Sequence, residues 1–98
     1  MSVYFVTRHP GAIEWAARRG LAVDRQVEHL DVMDIKQGDV VIGSLPVNLA
    51  AEVCSRGGRY LHLSLDLPAE RRGRELSVIE MESYGARIEE YRVEHKPC

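Results

Sequence analysis

Val3-Tyr4-Phe5-Val6 is a β-branched and aromatic run that stops abruptly at Thr7-Arg8-His9-Pro10-Gly11, and no other stretch limits the fold so sharply. Such a run reads as a strand, and Pro-Gly after two cationic, hydrogen-bonding side chains reads as a turn. Ala12 to Gly20 follows with helical spacing and ends on a glycine where a C-terminal cap would sit. The chain therefore opens as strand, charged loop, helix. In an open α/β sheet that loop lies at the carboxyl end of a strand, where ligands bind. A strand delivering Thr7, Arg8 and His9 to that edge predicts an anion site, phosphate above all.

The pattern recurs. Val40-Val41-Ile42 is continuously apolar, the mark of a strand buried on both faces of a parallel sheet. It ends at Gly43-Ser44-Leu45-Pro46, a second strand-to-helix turn with Pro46 suited to the first helical position; the helix runs to about Ser55, before Gly57-Gly58. Between the two units, Gln26 to Leu30 is expected as a strand, Asp31 to Lys36 as a turn or helical loop, and Gln37-Gly38-Asp39 as a turn. Arg59 to Leu65 alternates, with Leu61, Leu63 and Leu65 on one face and Tyr60, His62, Ser64 and Asp66 on the other. Pro68 to Gly73 is a polar, arginine-rich loop. Ser77 and Glu80 form a capping box for a helix through Met81, Tyr84 and Ile88, and Tyr91 to His95 is expected to close as an edge strand. This order predicts an α/β fold: a small, mostly parallel Rossmann-like sheet flanked by helices, one domain over residues 1–98.

Ninety-eight residues bury only roughly 60–70% of their unfolded surface, which favours pairing, and a homodimer is expected. The net charge of −2 argues against a general nucleic-acid coat protein, so no duplex nucleic acid partner is expected. Of the thirteen basic residues only Lys36 and Lys96 are lysine. Arginine grips phosphate bidentately through its planar fork, although genomic base composition explains the same bias. Cys54 and Cys98 are too few for a disulfide framework, and Cys54 fits the inward stripe of its helix as a small core hydrophobe. No signal peptide is visible and no apolar run nears the ~18 residues of a membrane span, which predicts a cytoplasmic protein without a membrane partner.

Arg8 and His9 are the candidate catalytic pair: a guanidinium for a phosphate oxygen beside an imidazole that can exchange a proton near neutral pH. The alternative is a turn in which Arg8 pairs with a carboxylate and Pro10-Gly11 merely shapes the bend. Thr7, Pro10 and Gly11 complete that loop as binding candidates, together with Gly43, Ser44, Leu45 and Pro46, whose glycine, hydroxyl and helix amides would favour an anion. The glycine-lysine-serine pattern of a P-loop is missing. His62, Ser64 and Asp66 stand in a row two residues apart rather than converging as a triad, and are expected to face a dimer interface or a polar pocket; His62 and Ser64 are possible site members, as is His29 near its strand end. No histidine or acid cluster has metal-ligand spacing, so no metal and no cofactor are expected. Strand, Arg-His and glycine also resemble the histidine phosphatases, but Pro10 separates His9 from Gly11 and the chain is short for that fold.

Tyr4-Phe5-Val6-Thr7-Arg8-His9-Pro10-Gly11-Ala12, Gly43-Ser44-Leu45-Pro46-Val47 with Leu49-Ala50-Ala51, and Tyr60-Leu61-His62-Leu63-Ser64-Leu65 together resemble the small type III CRISPR-associated Csx-sixteen family. The resemblance covers nearly the whole chain. It implies a Rossmann-like dimer related to the CARF sensors of cyclic oligoadenylate. It also implies a ring nuclease that opens the cyclic messenger, cyclic tetra-adenylate above all, and ends the antiviral signal. Every phosphodiester in such a ring has an adjacent 2′-hydroxyl, so cleavage calls for no metal and no protein nucleophile; held in line, proximity supplies much of the acceleration. A binder without chemistry, acting as sensor or sponge, would use the same arginine and glycine turns. A structural accessory of a larger CRISPR complex would bind no such ligand.

Overall fold

The computed structural model describes residues 1–97; Cys98, one of the two cysteines too few for a disulfide framework, lies outside them. Strands β1 (Val3–Val6), β2 (Arg25–Val27), β3 (Val40–Gly43), β4 (Arg59–Ser64) and β5 (Arg87–Tyr91) form one sheet in the order β2-β1-β3-β4-β5. The first four run parallel and β5 returns antiparallel along β4. Helix α1 (Pro10–Arg18) links β1 to β2, α2 (Val47–Ser55) links β3 to β4, and α3 (Val78–Ser83) precedes β5. The result is the small, mostly parallel Rossmann-like α/β fold that the strand-turn-helix units predict.

The strand pleat sorts side chains into two cores. Phe5, Val40, Ile42 and Leu63 point to one face and pack against Ala12, Trp15 and Ala16 of α1 and Val78 and Met81 of α3. Tyr4, Val41 and Tyr60 point to the other and meet Ala50 and Val53 of α2 with Ile35. All four residues of β3 are buried, as a central parallel strand covered on both faces requires. Cys54 is half-buried and free on α2, where its Sγ accepts from the Val93 amide at 3.5 Å.

Several boundaries differ from the sequence expectation. The second strand is Arg25–Val27 rather than Gln26 to Leu30, because only Tyr4 to Val6 offer it partners. Pro46 stands one position earlier than expected, as the N-cap with extended backbone, and α2 begins at Val47. Ser77 and Glu80 do form the capping box, but α3 stops at Ser83 because Gly85 takes φ +71°, a left-handed turn that glycine adopts without penalty. Ile88 consequently lies in a strand, and the closing strand is Arg87–Tyr91 instead of Tyr91 to His95. Asp66, expected in the row with His62 and Ser64, lies beyond β4 and grips Arg87 at 3.1 and 3.3 Å.

Asp39 locks the turn before β3. Its buried carboxylate accepts from the Ser2 amide at 2.9 Å and from the Lys36 amide at 2.9 Å. The Lys36 bond first, then the Ser2 bond, hold its pKa below the usual aspartate range. A depressed carboxyl pKa contributes stability above the unfolded value, and that contribution fades as pH falls through the folded one. Asp39→Ala is therefore expected to lower the melting temperature at pH 7 by roughly 5–10 °C, since two amides lose their acceptor. The gap to wild type should narrow at pH 3, which thermal melts at the two pH values check.

Candidate functional site

The chain moves from β1 through α1 to β2 in one direction and from β3 through α2 to β4 in the other, so the strand order reverses between β1 and β3. Open α/β sheets bind ligands in the crevice at such a switch point, at the carboxyl ends of the strands. Val6 pairs with Gly43, and Gly43 pairs with His62. The Thr7–Gly11 loop and the Gly43–Pro46 turn thus leave neighbouring strands at the same edge. Each opens a nine-residue helix with no side-chain cap and no acidic residue in its first turn. Both positive helix ends are left for an anion.

Thr7 anchors the first loop. Its amide donates to the Val27 carbonyl at 2.9 Å, and its Oγ1 accepts from the His9 amide at 3.2 Å. His9 is the N-cap of α1 through its backbone carbonyl, which accepts from Ala12 and Ile13. Its imidazole remains exposed, with Nδ1 3.9 Å from Glu75. Arg8, also exposed, enters none of the ion pairs among the described residues, so its guanidinium is not used up within the fold. Pro10 starts α1 with a residue that lacks the amide hydrogen a first position leaves unpaired. Gly11 has a packing reason to be glycine: a Cβ there would collide with the Leu76 carbonyl.

The second turn is held from β4. A Cβ on Gly43 would come within 2.8 Å of the Val6 carbonyl, so the glycine lets β1 and β3 close up beside the site. The Ser44 hydroxyl donates to the Leu63 carbonyl at 3.0 Å, and its role is to fasten the turn. Leu45 donates its amide to Tyr60 Oη at 2.9 Å, and Tyr60 Oη lies 3.1 Å from the Gly43 carbonyl and 2.6 Å from His62 Nδ1. Burial pushes the Tyr60 hydroxyl above its ordinary pKa against the opposing Leu45 bond, which keeps it protonated at neutral pH. Pro46 caps α2 with an exposed ring.

The structure therefore brings Arg8, His9, Gly43, Ser44 and Leu45 to one edge, with His62 one strand further along. Ser64 lies at the end of β4, and His29 is exposed just past β2, its side chain free of hydrogen bonds among the described residues. No group of three or more His, Cys, Asp or Glu side chains among the described residues could hold a metal ion, and no helix is long and apolar enough to cross a membrane. The model of a CRISPR-associated protein family, Cas_VVA1548, matches residues 4–94.

The chain belongs to this CRISPR-associated family. The match runs from Tyr4 in β1 to Glu94 beyond β5, so both turns of this CRISPR-associated protein lie inside it. No curated protein and no solved structure matches the chain.

Sequence reasoning left Tyr60, Arg87, Glu89 and Tyr91 of this CRISPR-associated protein outside the site. They join His62 and Ser64 around a groove of about 440 Å³ beside α2. The alternation Arg87, Glu89, Tyr91 is the signal that could have found them. It was hidden because Ile88 falls at helical spacing from Tyr84.

Proposed function

We propose that this protein is a ring nuclease that opens a cyclic oligoadenylate, cyclic tetra-adenylate above all, and so switches off type III CRISPR signalling. The observation that carries the reading is the switch-point edge, where an exposed Arg8 that enters no ion pair among the described residues and an exposed His9 stand beside two helix starts without side-chain caps. In the proposed step a ribose 2′-oxygen attacks the adjacent phosphorus while its proton passes to a base. The bond to the 5′-oxygen breaks, and that oxygen takes up a proton. The products are a 2′,3′-cyclic phosphate and a 5′-hydroxyl. Arg8 bears the charge that builds on the phosphorane, and His9 is the group that moves one of the two protons. The amides that open α2 hold a neighbouring phosphate. A two-fold homodimer would set one Arg8 and one His9 over each of two opposite phosphates of the ring.

Incubation with cyclic tetra-adenylate in EDTA, followed by chromatography and mass analysis, tests the reading. Linear fragments ending in cyclic phosphate are expected. An intact ring that co-elutes with the protein would make it a sponge or sensor, and an intact ring that does not bind would leave a structural role in a CRISPR assembly. Products with a 3′-hydroxyl would sink the 2′-oxygen mechanism.

A further inference from the structure

The groove between α2 and the β4–β5 ribbon has a composition that the phosphate chemistry does not account for. Its floor carries the cross-strand pairs Tyr60–Tyr91, His62–Glu89 and Ser64–Arg87, whose side chains share the α2 face of the sheet. His62 stands edge-on between two aromatic rings, with its centroid 5.7 Å from Tyr60 and 5.9 Å from Tyr91. Tyr60 is buried and fixes the imidazole through Nδ1, whereas Tyr91 is 48% exposed and leaves ring surface uncovered. Glu89 lines the same groove with a carboxylate; Arg87 Nε lies 3.3 Å from its Oε1, and Arg87 also pairs with Asp66 at 3.1 Å. At about 440 Å³ the groove lies within the roughly 300–1,000 Å³ range of small-ligand sites. Leu45 and Val47, at the start of α2, also line it, so it is continuous with the proposed phosphate seat.

The geometry points to this groove as a nucleobase seat, in which an amino-purine stacks on Tyr91 and donates its exocyclic amine to Glu89. Tyr60 is a positioning residue that holds His62 as one wall. Stacking against an open aromatic ring is indifferent to the identity of the base, and the carboxylate acceptor adds the preference for an amine. The identification of the base as adenine rests on the cyclic oligoadenylate reading; the seat itself does not. A base here and a phosphate at the start of α2 would give the protein a grip on one nucleotide unit of its ligand.

Amide-resolved NMR titration of the full chain with AMP, UMP and inorganic phosphate tests the seat. AMP is expected to shift the amides of His62, Glu89 and Tyr91, UMP to bind more weakly, and phosphate alone to leave those amides in place. Tyr91→Ala should weaken AMP binding by roughly 5–100-fold, the usual worth of one base on one ring, and Tyr91→Phe should retain it. Equal AMP affinity for wild type and Tyr91→Ala, or AMP shifts confined to the starts of α1 and α2, would overturn the proposal. The two readings fail separately. Tyr91-dependent AMP binding without ring cleavage keeps the seat and removes the nuclease. Cleavage of cyclic tetra-adenylate with the same KM in Tyr91→Ala keeps the nuclease and removes the seat.

Discussion

His9→Ala is expected to cut turnover of cyclic tetra-adenylate by roughly 10²–10⁴-fold while leaving binding within a few-fold of wild type. The split follows from where the side chain sits. His9 caps α1 with its backbone carbonyl, so removing the ring leaves the helix start intact. The imidazole is exposed, with Nδ1 3.9 Å from Glu75, and His9 belongs to neither hydrophobic core. Arg8→Ala should behave differently, weakening both binding and turnover, because a guanidinium attracts the phosphate in the ground state as well as the phosphorane. Arg8→Lys should recover part of the binding, since a point charge replaces charge but not the bidentate fork. Single-turnover rates and equilibrium binding, measured separately on the variants, decide the matter. A His9→Ala protein that cleaves at the wild-type rate removes His9 from the chemistry, whatever Arg8 does.

The two strand-turn-helix units were legible because each is local: an apolar run, a glycine or proline turn, and a helical period follow one another within about twenty residues. Val40 to Ile42 shows the clearest case, since a strand covered on both faces has no polar position to obscure it. What the sequence hid depends on partners far along the chain. Ser44 reads as a ligand-facing hydroxyl until β4 supplies the Leu63 carbonyl that accepts its hydrogen bond. Gly11 reads as a binding candidate until the Leu76 carbonyl, packed against it, gives it a structural reason to be glycine. Gly85 ends α3 several residues before the apolar spacing does, and that moved the closing strand from Tyr91–His95 to Arg87–Tyr91. The same shift brought Tyr91 opposite Tyr60 and Glu89 opposite His62, an antiparallel register that no local pattern encodes.

Position at the switch point also separates the residues proposed to carry chemistry from the residues that hold shape. Gly43, Ser44 and Leu45 are each tied to β1 or β4 by a close contact or a hydrogen bond, so the second turn is rigid before any ligand arrives. A rigid anion seat loses little conformational entropy on binding, which is the condition for holding three atoms in line. The Arg8 guanidinium and the His9 imidazole, both exposed side chains, are the groups proposed to follow the charge. Substituting Tyr60 should therefore disturb the geometry of both turn and groove, since its hydroxyl meets Gly43, Leu45 and His62 together.

Trp15→Ala is expected to remove about 3–5 kcal/mol from the unfolding free energy, a large share of what a chain of this length possesses. Trp15 is 1% exposed at the centre of the core between α1, α3 and the sheet, packed with Phe5, Ala16, Val40 and Met81. Its ring also lies beneath Arg19, whose guanidinium carbon is 5.0 Å from the centroid and whose donors bind Glu82 at 3.1 and 3.0 Å. That pair fastens α1 to α3, so losing the ring opens a cavity and frees the clamp above it. Trp15→Phe keeps an aromatic face for Arg19 and most of the packing, and should cost only about 1–2 kcal/mol. Urea titrations with an unchanged m-value would read the difference as stability rather than compactness. Because α1 follows directly on Arg8 and His9, the proposed catalytic pair, Trp15→Ala should also cut activity at temperatures where wild type is fully folded, and cooling should restore it. A loss below about 1 kcal/mol would mean that α1 is held mainly by the Arg19–Glu82 clamp and the β1 turn, and the core assignment of Trp15 would fall.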